Sequence, residues 1–223
     1  MLGFVVGRES MIVSDGADHR RRRSSVQGAF SRRRLNGWIP MIIDRTDAAM
    51  DRLLDDTPGR DGAAIDLYPV GRQLVLEIVV RALFGERLGT RAGELAELFQ
   101  RSQDYISSPA LRQIPHPFPY TARARVRADR RALDAIIDTE IAQRRRQPTG
   151  DPLNILEALV VEGALSDSEI RDQTVTLIRA GYDTTAASLA SAIWCATLTP
   201  GIWEQLRAEA DAVLRPPGDR ADR

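Results

Sequence analysis

The sequence has no lysine, one cysteine and two histidines among its 223 residues. A single cysteine excludes an internal disulfide and any metal site built from several thiolates. All 31 basic residues are arginines, and 31 acidic residues balance them to a formal net charge of zero. Overall charge therefore gives no reason to expect a nucleic acid or a membrane surface as partner.

Long apolar runs are also absent. The most apolar stretch, residues 65–84, is interrupted by Arg72, Glu77 and Arg81, so we predict that it does not span a membrane. No amino-terminal stretch joins a basic region to a long apolar segment, as a signal peptide or anchor would. Together with the lone cysteine, these absences predict a cytoplasmic protein without a membrane anchor.

The longest helical pattern covers residues 166–198. Ser166 and Glu169 have the spacing of a capping box, and Thr199-Pro200 predicts the end of the helix. At 1.5 Å per residue this helix would be roughly 50 Å long, enough to cross a domain. The sequence therefore predicts a mainly α fold, a helical bundle around one long central helix.

One face of this central helix carries small residues at helical spacing. They are Ala180, Gly181, Thr184, Ala187, Ser188 and Ser191. Thr184 can hydrogen-bond the carbonyl of Ala180 or give that bond to a ligand or water. Asp183 beside it is a carboxylate in a mostly apolar segment, where an unpaired charge is costly. Two interpretations stay open from these residues alone: a ligand site, or close helix packing with Asp183 paired to an arginine.

The six residues Ala180-Gly181-Tyr182-Asp183-Thr184-Thr185 resemble the acid–alcohol signature of the cytochrome P-450 superfamily, the haem-thiolate monooxygenases. The resemblance implies that this helix crosses the oxygen-binding side of haem b. Thr184 would then hold the bound dioxygen and its water, and Asp183 would relay protons for cleavage of the O–O bond. Ala180 and Gly181 would leave room for the oxygen beside the backbone.

A second motif lies near the amino terminus. His19 and Arg23 are four residues apart on one face of a helix that Asp18 is predicted to cap, a spacing that suits either two carboxylates or a solvated face. Asp15-Gly16-x-x-His19-Arg20-x-x-Arg23, followed by Ala29-Phe30-Ser31, is similar to the third helix of the same family. The resemblance implies that His19 and Arg23 bind the haem propionates, and that the remaining arginines face an electron-donor protein, a ferredoxin or a flavin reductase.

The other helices are predicted from apolar periodicity at residues 38–55, 68–84, 92–107, 121–146, 153–162 and 200–214. Leu83-Phe84-Gly85, at the end of the second of these, also resembles the family. Residues 109–119 are too rich in proline for a helix or a central strand, so they form either a plain surface connection or a functional lid. By resemblance they connect the two helices that close over the substrate, and Phe118 and Tyr120 would face it. His116, between two prolines, is predicted to be solvated.

The resemblance covers roughly residues 10–214, about half of a complete family member. We therefore expect residues 1–223 to be a single incomplete domain, from the third helix through the helix after the central one. The loop that presents the cysteine ligand is not recognisable, and Glu204 and Arg207 only mimic the family's Glu-x-x-Arg pair. Cys195 is predicted to be an inert core cysteine, so no residue here is expected to bind the metal.

These features predict a portion of a monooxygenase that inserts one atom of O2 into a small apolar organic substrate, with electrons from a redox partner. Without the cysteine loop the chain alone is expected to be inactive. One alternative is a non-catalytic helical protein that binds a partner or an apolar ligand. A nucleic-acid binder would rest only on the arginine clusters at residues 20–23 and 32–34, and the zero net charge disfavours it.

Overall fold

The computed structural model describes residues 2–55, 65–109, 113–114 and 118–214, and within these ranges all regular structure is helical. The mainly α fold predicted from the sequence is confirmed. In chain order the elements are α1 (Leu2–Val6), a 3-10 turn (Met11–Val13), α2 (Gly16–Ala29), α3 (Arg32–Asp55), α4 (Leu67–Phe84), α5 (Glu86–Gly89), α6 (Ala92–Ile106), α7 (Ala122–Arg146), α8 (Ile155–Glu162), α9 (Asp167–Leu198) and α10 (Ile202–Leu214).

Helix α9 is the predicted central helix. Its 32 residues give a length of about 48 Å. The predicted capping box is present: Ser166 Oγ accepts from the backbone N–H of Glu169 at 3.2 Å, and Glu169 Oε2 accepts from the N–H of Ser166 at 3.0 Å. Two of the unpaired N–H groups that begin every helix are thereby satisfied.

The hydrophobic core lies where α9 packs on α4, with α6, α7 and α8 around them. Its largest fully buried apolar side chains are Leu76, Phe84, Leu95, Phe99, Ile137, Ile141, Leu156, Leu159, Ile170 and Ile178. The buried residues of α9 are concentrated between Glu169 and Ile178, and only Tyr182, Ala186 and Ala196 are buried beyond them. The first half of α9 is therefore a core helix, and the second half lies largely on the surface.

Helix α3 differs from its prediction in two ways. It begins at Arg32 and continues through Pro40, because a proline inside a helix removes one hydrogen bond without forcing the chain to end there. Its apolar stripe does not reach the core, where only Ala49 is buried. The exposed apolar side chains of α3 are Leu35, Ile39, Ile42, Ile43, Met50 and Leu54.

Helix α2 begins at Gly16, and Asp15 is its N-cap residue, three residues before the predicted cap at Asp18. Asp18 lies in the first turn instead, where its negative charge complements the positive end of the helix dipole. No described helix combines the length and the apolar character that a membrane span requires. Much of the predicted lid, including His116, and the loop at 56–64 lie outside the described residues.

Candidate functional site

The small-residue face of α9 is open to solvent. Ala180, Thr184, Ala187, Ser188 and Ser191 are exposed, although the first half of the same helix is buried. Thr184 Oγ1 donates to the carbonyl of Ala180 at 2.5 Å. Since a hydroxyl can rotate, this hydrogen can be turned to an acceptor on the open face, and its oxygen can accept at the same time. The face offers an uncrowded surface that includes the adaptable hydroxyl of Thr184.

Gly181 has a packing role that distinguishes it from its neighbours. A Cβ atom at this position would lie 3.4 Å from Cγ2 of Val79 on α4. Close approach of two helices thus accounts for a glycine here, as one of the two sequence-based interpretations proposed. The exposed residues of the same face need a different explanation, because no helix in the described part of the chain covers them.

Asp183 is paired with Arg72 of α4, the arginine partner that the packing interpretation expected. Arg72 Nη2 lies 3.2 Å from Asp183 Oδ1, and the same guanidinium donates to the hydroxyl of Tyr182. The guanidinium also lies over the rings of Tyr182 and Tyr68, at 5.0 and 5.6 Å from their centroids. Burial raises the pKa of Tyr182, so its phenol stays protonated near neutral pH.

The ion pair between Arg72 and Asp183 is accessible to solvent. The side chains of Arg72 and Asp183 are 19% and 27% exposed, and a cleft of about 770 Å³ between α4 and α6 is lined by Arg72 and Tyr182. A partly solvated pair of this kind contributes little to stability and can open to water. Asp183 can therefore exchange Arg72 for a water molecule.

His19 is held by the 3-10 turn that precedes its helix. Its Nδ1 lies 2.9 Å from the carbonyl oxygen of Met11. A carbonyl only accepts, so Nδ1 carries the hydrogen. Nε2 makes no hydrogen bond with the described residues, and Arg23, one turn further on, is exposed and makes no ion pair with them. The His19 and Arg23 side chains are thus available to an anion.

Arg21 and Arg22 attach α2 to the start of α9. Arg22 Nε donates to Glu169 Oε1 at 3.0 Å, and Arg21 donates to the same carboxylate. The hydrogen bond from Arg21 is the main cause that lowers the pKa of Glu169 to about 2. Sequence reasoning missed this clamp, because the arginines other than Arg23 were assigned to a surface for an electron-donor protein. Nothing in the local pattern identifies Glu169 as their partner.

The predicted site residues thus fall into separate groups. One group lies within two turns of α9 and contains Ala180, Gly181, Asp183 and Thr184. The other group, His19 and Arg23, lies on α2, which is attached to the start of α9. Glu169 and Thr184 are fifteen residues apart, about 22 Å along the helix axis. Phe118 and Tyr120 are 66% and 93% exposed, with Tyr120 in the left-handed region at a φ of 61°. Their substrate-facing role stays a prediction.

A second cleft of about 910 Å³, away from Thr184, lies between α3, α7 and the segment before α8. It is arginine-rich, but each of these arginines already donates to a carboxylate or a backbone carbonyl. They are Arg33, Arg34, Arg81, Arg87 and Arg144. An anion in this cleft would have to displace existing bonds, so the cleft does not compete with the open face of α9.

The described part of the chain contains no cluster of three or more histidine, cysteine or acidic side chains able to hold a metal. Cys195 was expected in the core, and this expectation is wrong: the thiol is exposed, because the second half of α9 lies on the surface. It is eleven residues beyond Thr184 on the same helix, about 16 Å along the axis. Both side chains project from one straight helix, so Cys195 cannot reach the side of a flat ligand opposite Thr184.

Comparison with known proteins identifies the family and the fold that this chain matches. The family described as Cytochrome P450 matches residues 5–221. The putative cytochrome P450 139 of Mycobacterium bovis is 34% identical over 215 residues, which cover 94% of this chain and 49% of that protein. Cyclooctatin synthase of Streptomyces melanosporofaciens is 32% identical over 225 residues, 96% of this chain and 46% of that protein. The chain spans about half the length of these curated relatives.

Solved structures match over similar lengths. The retinoic acid-bound cyanobacterial CYP120A1 superposes with a TM-score of 0.78 at 23% identity, covering 94% of this chain and 46% of that one. P450BioI, in complex with an acyl carrier protein ligated to hexadec-9Z-enoic acid, gives a TM-score of 0.69 at 19% identity, covering 92% of this chain and 49% of that one. At these identities the likeness establishes the fold.

Proposed function

The chain belongs to the cytochrome P450 family, and we propose that residues 1–223 form one incomplete domain that supplies the oxygen side of a haem-thiolate monooxygenase. The observation that carries this proposal is the open face of α9, where Thr184 and Asp183 stand beside small residues in the middle of a rigid, capped helix. The substrate would be a small apolar organic molecule, and O2 the oxidant.

The described residues fit a haem group. A flat macrocycle needs an uncrowded wall, and Ala180, Thr184 and Ser188 leave one on α9. Its carboxylates need cationic donors, and neither His19 Nε2 nor the guanidinium of Arg23 is bonded to any described residue. When bound, haem iron supplies the chemistry of O2 activation. Its thiolate ligand is not provided by Cys195, so we propose that it comes from polypeptide outside these 223 residues.

Asp183 and Thr184 would handle protons at this face. Asp183 is paired with Arg72 in the closed arrangement and, once that pair opens, can accept a proton from water through the same oxygen. Thr184 can turn its hydroxyl hydrogen away from the Ala180 carbonyl toward an oxygen atom or a water on the open face. Adjacent side chains of a helix project about 100° apart, so a proton would pass between these two through water and not directly.

Arg72 is the positioning residue in this scheme. Its guanidinium is fixed from several sides, by the Tyr182 hydroxyl and by the faces of two tyrosine rings. It therefore keeps its place while Asp183 moves. Electrons would come from a ferredoxin or a flavin reductase, and the exposed arginines of α2, such as Arg20 and Arg23, suit an acidic partner.

A haem titration of the purified chain tests the first part of the proposal. We expect saturable uptake, followed as a change in Soret absorbance, and a reduced carbon-monoxide difference spectrum without the thiolate-type shift. Arg23→Ala should weaken uptake by about tenfold, the loss of one charge-assisted hydrogen bond. Arg127→Ala removes an equally exposed arginine from a different helix, α7, and serves as the matched control. Equal effects of both variants would contradict the assignment.

The catalytic part is tested in an active protein that contains this chain together with a thiolate loop. Thr184→Ala should uncouple oxygen consumption from product formation, whereas Thr185→Ala, a neighbouring exposed threonine without the bond to Ala180, should not. An unchanged product yield per electron in Thr184→Ala would show that this hydroxyl is not catalytic. No haem uptake combined with a ligand-induced rise in Tm would favour the alternative, a non-catalytic helical protein that binds an apolar ligand.

A further inference from the structure

Gln173 is a fully buried polar residue of α9. Both the oxygen and the nitrogen of its side-chain amide form hydrogen bonds with the segment before α2. Its Oε1 accepts from the backbone N–H of Met11 at 2.8 Å. Its Nε2 donates to the carbonyl of Glu9 at 2.6 Å and also to the carbonyl of Glu169 at 3.2 Å. A buried glutamine with every strong bond satisfied fixes the backbone that it contacts, because breaking any one bond would leave an unpaired group.

Two neighbours of Gln173 hold the same segment. Asp172 accepts from the N–H of Glu9 at 3.0 Å, and the hydroxyl of Thr176 lies 2.6 Å from that of Ser10. Each of residues 9, 10 and 11 is thus hydrogen-bonded to a side chain of α9. Helix α9 therefore holds the backbone that carries the Met11 carbonyl, which also accepts from the N–H and the hydroxyl of Ser14.

The Met11 carbonyl in turn determines the state of His19. Which ring nitrogen of a histidine carries the hydrogen is set by the hydrogen bond that the other nitrogen makes. The bond of 2.9 Å from Nδ1 to the Met11 carbonyl places the hydrogen on Nδ1, so Nε2 is the nitrogen left for a ligand. In the neutral ring this Nε2 only accepts; it becomes a donor when the ring is cationic.

We propose that Gln173 is a positioning residue for His19: through Met11 it holds Nδ1–H toward the Met11 carbonyl, and so orients the ring with Nε2 toward an anionic ligand. The ligand class is a carboxylate, bound by the cationic ring together with Arg23. This inference rests on the proposed function for the identity of the carboxylate as a haem propionate. The link from Gln173 to His19 is a property of the chain itself and can be measured without haem.

Nitrogen-15 NMR of the imidazole side chains tests the link directly, since two-bond correlations distinguish the two neutral forms. The sequence has only two histidines, and a His116→Gln background leaves the signals of His19 alone. In the neutral ring we expect the Nδ1–H form to predominate. Gln173→Leu should shift the ratio of the two forms toward Nε2–H by roughly fivefold, the effect of about one neutral hydrogen bond.

Two further variants keep the test decisive. Thr174→Val alters an equally buried residue of α9 that bonds only its own helix, at the carbonyl of Ile170, and should leave His19 unchanged. Met11→Pro removes the N–H that Gln173 accepts, while Ser10 already has the extended backbone, φ −64° and ψ 140°, that precedes a proline. It should reproduce the shift if Gln173→Leu does not fold.

A predominant Nε2–H form in the unsubstituted chain, or an unchanged ratio in a folded Gln173→Leu or Met11→Pro variant, would overturn the proposal. A haem titration of the same proteins separates the two levels. If the NMR shift occurs but the chain takes up no haem, Gln173 still positions His19 and the haem assignment fails. If uptake occurs and the ratio does not respond to Gln173, the proposed function stands without this positioning residue.

Discussion

Replacing Glu169 by glutamine removes one negative charge at the point where Arg21 and Arg22 join α2 to α9. Glutamine can still close the capping box with Ser166, because its amide oxygen accepts the same backbone N–H. Glu169→Gln therefore isolates the charge from the cap. Arg22, which is buried, would lose its ionic partner and keep only a weaker neutral acceptor.

The expected loss follows from the pKa of Glu169, which is lowered from 4.5 to about 2. A difference of that size between the unfolded and folded states corresponds to about 3 kcal/mol of folding free energy at neutral pH. Arg21 is 44% exposed, so solvent screening reduces this to roughly 2 kcal/mol. Because the folded pKa is depressed, the stabilisation is complete above pH 4.5 and is lost as the pH falls toward about 2.

Urea denaturation of the two proteins between pH 7 and pH 3 provides the measurement. The free energies of unfolding should differ by roughly 2 kcal/mol at pH 7, and this difference should fall to roughly half as the pH approaches 3. Glu157→Gln is the matched control, since Glu157 is in the same first-turn position of α8 and its nearest guanidinium nitrogen is 3.9 Å away. A difference below about 0.5 kcal/mol at pH 7, or one independent of pH, would refute the reasoning.

Further predictions concern the backbone and the Asp183 pair. Gly7→Ala should lower the free energy of unfolding by more than about 2 kcal/mol, because Gly7 has a φ of +97° and a Cβ there would lie 2.0 Å from the Asp172 carboxyl. The control Gly28→Ala, with open space around it, should be neutral or stabilise by up to about 1 kcal/mol. Equal urea midpoints for the two variants would contradict this prediction. Arg72→Met should cost roughly 1–2 kcal/mol in the same assay, since it removes the partner of Asp183 and a tyrosine hydrogen bond; a gain in stability would show that the pair is net unfavourable.

Much of the fold could be predicted because its signals are local. Ser166 and Glu169 define the start of α9, and Gly85 and Thr121 stand at helix boundaries where the sequence places them. A cap requires only residues within one turn of each other, so the chain carries that information directly. The resemblance of the Ala180–Thr185 motif to cytochrome P450 is confirmed for the family.

The long-range partners could not be predicted. Asp183 was expected to pair with an arginine, but nothing distinguishes Arg72 from the other thirty, because ion pairing across 111 residues depends on how α4 and α9 cross. The buried role of Arg22 was missed for the same reason. Amphipathic periodicity correctly predicted the apolar stripe of α3, yet periodicity does not say whether a neighbouring element covers it. The roles of Asp183, Thr184, His19 and Arg23 stay predictions.

The exposure of Cys195 gives the chain a single chemical handle. There is no lysine and no second thiol, so a maleimide dye would attach at one position, and an amine-reactive dye only at the amino terminus. Cys195 and Glu169 are 26 residues apart on one helix, about 39 Å along its axis. A fluorophore on this thiol, next to Trp194, would report the solvation of the carboxyl-terminal turns of α9 without disturbing the arginine clamp at the other end.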